Sequence, residues 1–152
     1  MRVLFVCTGN TCRSPMAEAL LREALATRGA DQITVSSAGT GAWEGAPASE
    51  GAYLVCLEHG LDLSGHSARL LTRELVKESD LILTMSGHHR ARVAELGGED
   101  KVHVLGEYVG RDEGRGEISD PYGSDLASYR VTYDELQEMI TGVVGRVVGT
   151  VR

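Results

Sequence analysis

The stretch "CTGNTCRSP" at positions 7–15 gathers, within one turn, groups that could perform phosphoryl chemistry. Cys7 and Arg13 are separated by five residues, Thr8, Gly9, Asn10, Thr11 and Cys12. A loop joining a strand end to a helix N-terminus can turn successive N–H groups inward as an anion nest. Gly9 allows close approach or a positive φ, and Asn10 is among the few other residues that tolerate the left-handed region. Arg13 adds a planar fork that matches two oxygens of a tetrahedral dianion. In that field Cys7 is expected to titrate well below a free thiol, whose pKa is about 8.5, because positive surroundings favour the thiolate. A thiolate at the base of a phosphate cradle is a nucleophile aimed at phosphorus.

The elements that must hold such a loop are legible on either side of it. Val3 to Val6 is a continuous apolar run, as expected of a parallel strand buried on both faces. Pro15 can occupy the first turn of the following helix, where its missing N–H costs nothing. Met16, Leu20 and Ala24 form one ridge of that helix at i, i+4, with Ala17, Leu21 and Leu25 beside it. "ITVSSAG", "DLILTM" and "KVHVL" read as further strands. Between them lie "SEGAYLVCLEHG", a helix stopped by Gly60, and "TRELVKES", a short helix capped by Thr72. Another helix is expected over Ser86–Leu96. Tyr133, Leu136, Ile140, Val143, Val144 and Val147 keep helical spacing in the last element, despite its valines and glycines.

Strands separated by helices imply right-handed crossovers and a three-layer α/β fold: a four-stranded parallel sheet with helices on both faces. Such folds bind ligands at the carboxyl ends of their strands, where the phosphate-binding loop after strand 1 falls. The segment from Gly106 to Ser124 follows the fourth strand and reads as a long loop at the same edge. It exceeds the ~12–15 residues beyond which a structureless connection is usually functional or disordered.

Composition bounds the function. A chain of 152 residues suits one domain, 1–152, with a single sizeable core. No stretch approaches the ~18 apolar residues that span a membrane, and the N-terminus enters a strand directly, so a cytoplasmic setting is expected. Three cysteines without a regular spacing agree with reducing conditions. A formal charge of -7 opposes nonspecific nucleic-acid binding, so any anion site must be local.

"VLFVCTGNTCRSPMAEAL" resembles the signature of the low-molecular-weight protein tyrosine phosphatases and their bacterial arginine phosphatase branch. "SDPYG" at 119–123 is similar to the same family's general-acid loop, and the order of elements agrees over nearly the whole chain. The resemblance implies that Cys7 forms a phosphocysteine while Arg13 and the N–H groups of the loop hold the equatorial oxygens. It implies that Ser14 donates to the sulfur and that Asp120, stiffened by Pro121, protonates the leaving atom and then activates water. Asn10 is implied to be locked by a network including Ser37 and His66, and Trp43 and Tyr122 to wall the substrate slot. No metal or cofactor is implied; the partners are a phosphorylated protein substrate and inorganic phosphate, with neither nucleic acid nor membrane.

Alternatives share parts of this pattern. Arsenate reductases resemble the loop, including a cysteine at Cys12, but need a further pair of cysteines where this chain has only Cys56, expected in the core. A non-catalytic phosphate-binding or redox-sensing module could do without Asp120 and Ser14. Cys12 is also expected to capture an oxidised Cys7 as a disulfide, making the enzyme redox-regulated. Thr11 stands where tyrosine-type members usually carry a bulky aliphatic residue, and Gly123 where they carry a second aromatic; both favour phosphoarginine over phosphotyrosine. His88, His89, Arg90 and Arg92 read as the solvated face of an exposed helix.

Overall fold

The computed structural model describes residues 1–112 and 116–150. Its centre is a parallel sheet of β1 (Arg2–Cys7), β2 (Thr34–Gly39), β3 (Leu81–Thr84) and β4 (Val102–Val104), in the order β2-β1-β3-β4. The register runs Val3 beside Val35 and Leu81, and Val6 beside Ala38 and Thr84. Because β1 has β2 on one side and β3 on the other, strand order reverses at β1. Neighbouring connections therefore leave in opposite directions and open a crevice at its carboxyl end.

Side chains of β1 alternate between two apolar layers. Val3, Phe5 and Cys7 join the larger core, with α1 (Arg13–Thr27), α2 (Glu50–Glu58) and α6 (Leu126–Thr150). Leu4 and Val6 face a smaller cluster that includes Val76 of α3 (Arg73–Glu78) and Val93 of α4 (Gly87–Val93). Burial on both faces explains why β1 reads as an unbroken apolar run. Ser49 and Thr72 cap α2 and α3, accepting from the Ala52 and Leu75 N–H groups, and Gly60 closes α2 at φ 77°. Helix α6 is long in spite of its poor formers because Tyr133, Leu136, Ile140, Val143, Val144 and Val147 are all buried. Packing overrides propensity there. No helix among the described residues is long and apolar enough to cross a membrane.

Two elements differ from expectation. The helix expected over Ser86–Leu96 is regular only to Val93 and continues as an irregular turn over Ala94–Gly98, where Gly97 has φ 97°. The long loop after β4 begins with a helix, α5 (Leu105–Tyr108), and its residues 113–115 lie outside the described residues. On the far side the chain is held down: the Gly106 N–H donates to the Gly116 carbonyl at 3.2 Å, and the Ile118 N–H to Met85 at 2.9 Å. A Cβ on Gly116 would stand 2.7 Å from Gly106 Cα, so a side chain on either residue would force the backbone to shift. This glycine contact sets the path of the chain towards Asp120.

Gly116→Ala should accordingly cost stability on the ~1–3 kcal/mol scale of overpacking and lower kcat/KM as well, since the Asp120 segment must shift. Urea unfolding alongside turnover of an aryl phosphate checks both; a variant matching the parent in both would show that the contact positions nothing.

Candidate active site

Residues 8–12 leave the sheet at Cys7 and re-enter regular structure at Arg13, the first residue of α1. Asn10 makes this reversal. It is the one non-glycine with positive φ among the described residues, at 56°, and it is fully buried. Gly9 does not share that conformation. A Cβ there would make only an ordinary contact, 3.5 Å from Thr11 Oγ1, so neither the positive φ nor the close approach expected of Gly9 is found.

Every polar atom of Asn10 is engaged. Its Oδ1 accepts from the Arg69 N–H at 2.9 Å, which fixes the amide orientation because a backbone nitrogen can only donate. Nδ2 therefore donates to Ser14 Oγ at 2.8 Å and to Ser37 Oγ at 2.9 Å. His66 Nε2 donates to the Asn10 carbonyl at 2.6 Å. The Ser37 hydroxyl in turn donates to Glu18 Oε1 at 2.6 Å. With Asn10 supplying the donor to Ser14 Oγ, the Ser14 hydroxyl proton is left for Cys7 Sγ, 2.8 Å away. Ser37 and His66 thus both hydrogen-bond Asn10. Glu18 and Arg69 also belong to the network; Glu18 lies four residues after Ser14 on α1, and Arg69 ends the same "GHSAR" segment as His66.

The sulfur of Cys7 is buried, and burial is the largest influence on it, pushing its pKa up. Four contacts act in the opposite sense, in descending order: the Ser14 hydroxyl, the Ser14 N–H, the Arg13 charge and the Asn10 N–H. The expectation of a thiol well below its free value counted only the Arg13 charge and the inward N–H groups. The folded loop adds a desolvation cost that the motif does not display, and this cost is the larger.

Arg13 is buried, donating Nη1 to the Ile118 carbonyl at 3.1 Å, and its Nη2 lies 3.5 Å from Asp120 Oδ2. Asp120 sits at the lip, half exposed, with Oδ1 accepting from the Tyr122 N–H at 3.1 Å; Pro121 beside it is buried. Cys7, Thr8, Gly9, Thr11, Cys12, Arg13, Trp43, Asp120 and Tyr122 all line one cleft of about 340 Å³. Trp43 and Tyr122 are 83% and 72% exposed, so their rings form rims that a ligand can cover rather than parts of the core. Cys12 Sγ donates to Ser49 Oγ at 3.2 Å and lies 3.4 Å from the Tyr129 hydroxyl, whose pKa burial helps push up to about 12. Cys56 is fully buried in α2, and burial pushes its thiol up to about 12, which leaves it unsuited to shuttle a disulfide to the surface.

The pair of histidines requires a correction. His88 is exposed as expected, but His89 is wholly buried and belongs to the site, with Nε2 2.8 Å from Thr8 Oγ1. Helical spacing alone could not show it, because the neighbour that covers His89 comes from β1's loop, 81 residues earlier.

A buried thiol, a guanidinium and a carboxylate that share one cleft at a strand's carboxyl end are the equipment of a cysteine-dependent phosphatase. Residues 2–150 match the family described as low molecular weight phosphotyrosine protein phosphatase, and the chain belongs to that family. It is a phosphatase. It is 40% identical over 142 residues to the protein-arginine-phosphatase of Bacillus subtilis, covering 92% of each chain. It is 37% identical over 141 residues to the low molecular weight protein-tyrosine-phosphatase PtpB of Staphylococcus haemolyticus, covering 92% of this chain and 95% of that one. Among solved structures, a mutant YwlE arginine phosphatase with a phosphorylated active site serine superposes with a TM-score of 0.88 at 38% identity, covering 97% of this chain and 95% of that chain.

The Asn10 geometry yields a discriminating pair of variants. Asn10→Gly keeps access to positive φ, whereas Asn10→Ala does not, and both lose the side-chain bonds. Asn10→Ala should be less stable than Asn10→Gly by roughly 1 kcal/mol, with orthovanadate affinity reduced in both. Equal urea midpoints for the two would show that the backbone there is unstrained.

Proposed function

We propose that this phosphatase hydrolyses phosphorylated protein side chains through a phosphocysteine on Cys7, with phosphoarginine as its favoured substrate. The observation that carries the mechanism is the convergence of Cys7, Arg13 and Asp120 on one cleft. Cys7 Sγ attacks phosphorus, and the phosphorus–leaving-atom bond breaks. Arg13 and the N–H groups of residues 8–13 hold the equatorial oxygens, as donors that need not reorganise when charge develops there. A thiol with a phosphate dianion carries the same proton count as a thiolate with a monoanion, so moving one proton within the complex offsets the upward push of burial on Cys7. The Ser14 hydroxyl stabilises the sulfur as nucleophile and then as leaving group. Asp120 protonates the departing atom and afterwards takes a proton from the water that cleaves the phosphocysteine. Buried Pro121 limits the movement of that carboxylate.

Support for phosphoarginine comes from Thr11, Gly123 and the arginine-phosphatase relative. Thr11 lines the cleft and presents a hydroxyl where a hydrocarbon rim would favour an aryl ring. Gly123 has φ 77°, a conformation that disfavours a second aromatic wall. Phosphotyrosine is the second reading, favoured by the exposed rings of Trp43 and Tyr122. We read residues 1–152 as one domain working in the cytoplasm, where three unpaired, buried thiols stay reduced. Its partners are a phosphorylated protein and inorganic phosphate as product and competing ligand; nucleic acid and membrane are not among them.

Comparison of kcat/KM on phosphoarginine and phosphotyrosine peptides tests the substrate, and Thr11→Ile tests its selector. Isoleucine keeps the β-branch and exchanges a hydroxyl for hydrocarbon. The phosphoarginine-to-phosphotyrosine ratio should fall by about tenfold or more, since polar groups discriminate more sharply than a methylene. An unchanged ratio removes Thr11 as the selector. For Asp120→Ala, losses of about 10²–10⁴ are expected on phenyl phosphate, with much smaller ones on a dinitrophenyl ester whose leaving group needs no proton. Equal losses in single turnover would leave Asp120 with a structural role only. Redox control follows from Cys12: peroxide converts the Cys7 thiolate to a sulfenic acid, and the Cys12 thiol displaces water to form a disulfide. Thiol should then restore the parent and not Cys12→Ser; sulfonic acid at Cys7 as the parent's product would exclude this route.

A further inference from the structure

Asn10 fixes the phosphate loop from the side of β2. A second clamp lies on the side of β3, and its members are outside the motif. His89 is the one histidine fully buried among the described residues, and both its ring nitrogens are engaged. Nε2 meets Thr8 Oγ1 at 2.8 Å, and Nδ1 meets Ser86 Oγ at 2.8 Å. Burial above all, then the charges of His88 and Arg13, push the His89 pKa down to about 3, with Asp120 opposing. The ring is therefore neutral at ordinary pH and has one N–H and one bare nitrogen.

Proton counting links the bonds on its two sides. Ser86 has a single hydroxyl proton but faces two imidazole nitrogens, His89 Nδ1 and His88 Nδ1, each at 2.8 Å. At least one of these histidines must present an N–H to Ser86. If His89 Nδ1 does so, Nε2 is bare, and the Thr8 hydroxyl donates its proton to the ring, away from the cleft. If instead the exposed His88 supplies the N–H, Ser86 donates to His89 Nδ1. Nε2 then carries the proton, Thr8 Oγ1 accepts it, and the Thr8 proton is free to point into the cleft that Thr8 lines. Only the second arrangement offers a further donor to an anion.

We propose that His89 is a positioning residue of the phosphate cradle, acting through Thr8, and that the second arrangement is the one adopted when an anion is bound. This rests on the reading of residues 7–13 as the cradle. His89 and Ser86 hold Thr8, the residue next to the nucleophile, while the Thr8 carbonyl accepts from the Gly41 N–H at 2.9 Å on the other side. The cradle is thus fastened to the segments that follow both strands flanking β1.

The test measures orthovanadate affinity and kcat/KM on an aryl phosphate for the parent, Thr8→Val, His89→Leu, the variant carrying both substitutions, and His89→Gln. Thr8→Val and His89→Leu should each weaken vanadate binding about tenfold, the size of one lost hydrogen bond to an anion. The combined variant should be no worse than either alone, because one bond is removed in all three. His89→Gln, whose amide nitrogen can reach the same hydroxyl, should recover most of the loss; a role in packing alone would give no such recovery. Losses that multiply, single variants that bind like the parent, or a Gln variant no better than Leu would each overturn the proposal. Should His89→Leu fail to fold, the ring ¹⁵N shifts of the parent decide the matter. With vanadate bound, Nε2 should carry the proton and Nδ1 should be bare; the reverse tautomer overturns the proposal. Failure of vanadate to bind the parent would remove the cradle reading and this inference with it, whereas equal binding by parent and variants removes the inference alone.

Discussion

Asn10 occupies a backbone conformation that costs an ordinary L-residue roughly 1–2 kcal/mol, and the site depends on its staying there. The φ of 56° turns the chain back so that N–H groups on both sides of the reversal face the Cys7 sulfur. Burial without partners would make such a residue untenable. Its side chain instead donates twice and accepts once, and its carbonyl accepts from His66. The same bonds that offset the strain also orient Ser14 towards the Cys7 sulfur, so one network meets the conformational cost and sets the surroundings of the thiol. Removing a donor from that network therefore acts on stability and on the sulfur together.

The fold supplies the partners of that network by bringing distant segments to one strand end. Ser37 comes from β2, and His66 and Arg69 from the segment that bridges to Gly39. His89 comes from the helix after β3, and Ile118 from a segment bonded beside Met85. Gly39 shows how close this assembly is: a Cβ there would overlap the Thr8 carbonyl and stand 2.9 Å from the Asn10 nitrogen. Strand order reversing at β1 is what lets neighbours on both sides reach one loop. Rigidity built this way is what a preorganised anion site requires, since donors that need not reorganise contribute most to catalysis.

How much of this could be read from the sequence depended on how local each feature is. The Cys7–Arg13 spacing, the apolar run of β1, the Thr72 cap and the Gly60 stop are contained within a few residues, and each is found in place. Asp120 needed a family resemblance to connect it across the chain, because an Asp–Pro pair by itself is a common turn. His89 was legible only as part of a charged helix, since helical periodicity says which residues share a face and not what covers that face. Helix α5 was hidden by the glycines around it, and the glycine contact at 106 and 116 has no side-chain signal at all. The desolvation of Cys7 was missed for the same reason: a motif displays its donors, whereas burial is a property of the whole fold.

Cys7 as the atom that carries phosphate is the claim on which the rest of the chemistry hangs. Rapid acid quench of the enzyme during turnover of an aryl phosphate, followed by peptide mapping, tests it directly. A single phosphate linked through sulfur at Cys7, formed in a burst and lost on Cys7→Ser with orthovanadate binding retained, is the predicted result. Phosphate mapped to any other side chain, or a burst of product with no phosphorylated Cys7 under conditions that preserve the thiol ester of phosphate, would contradict the account.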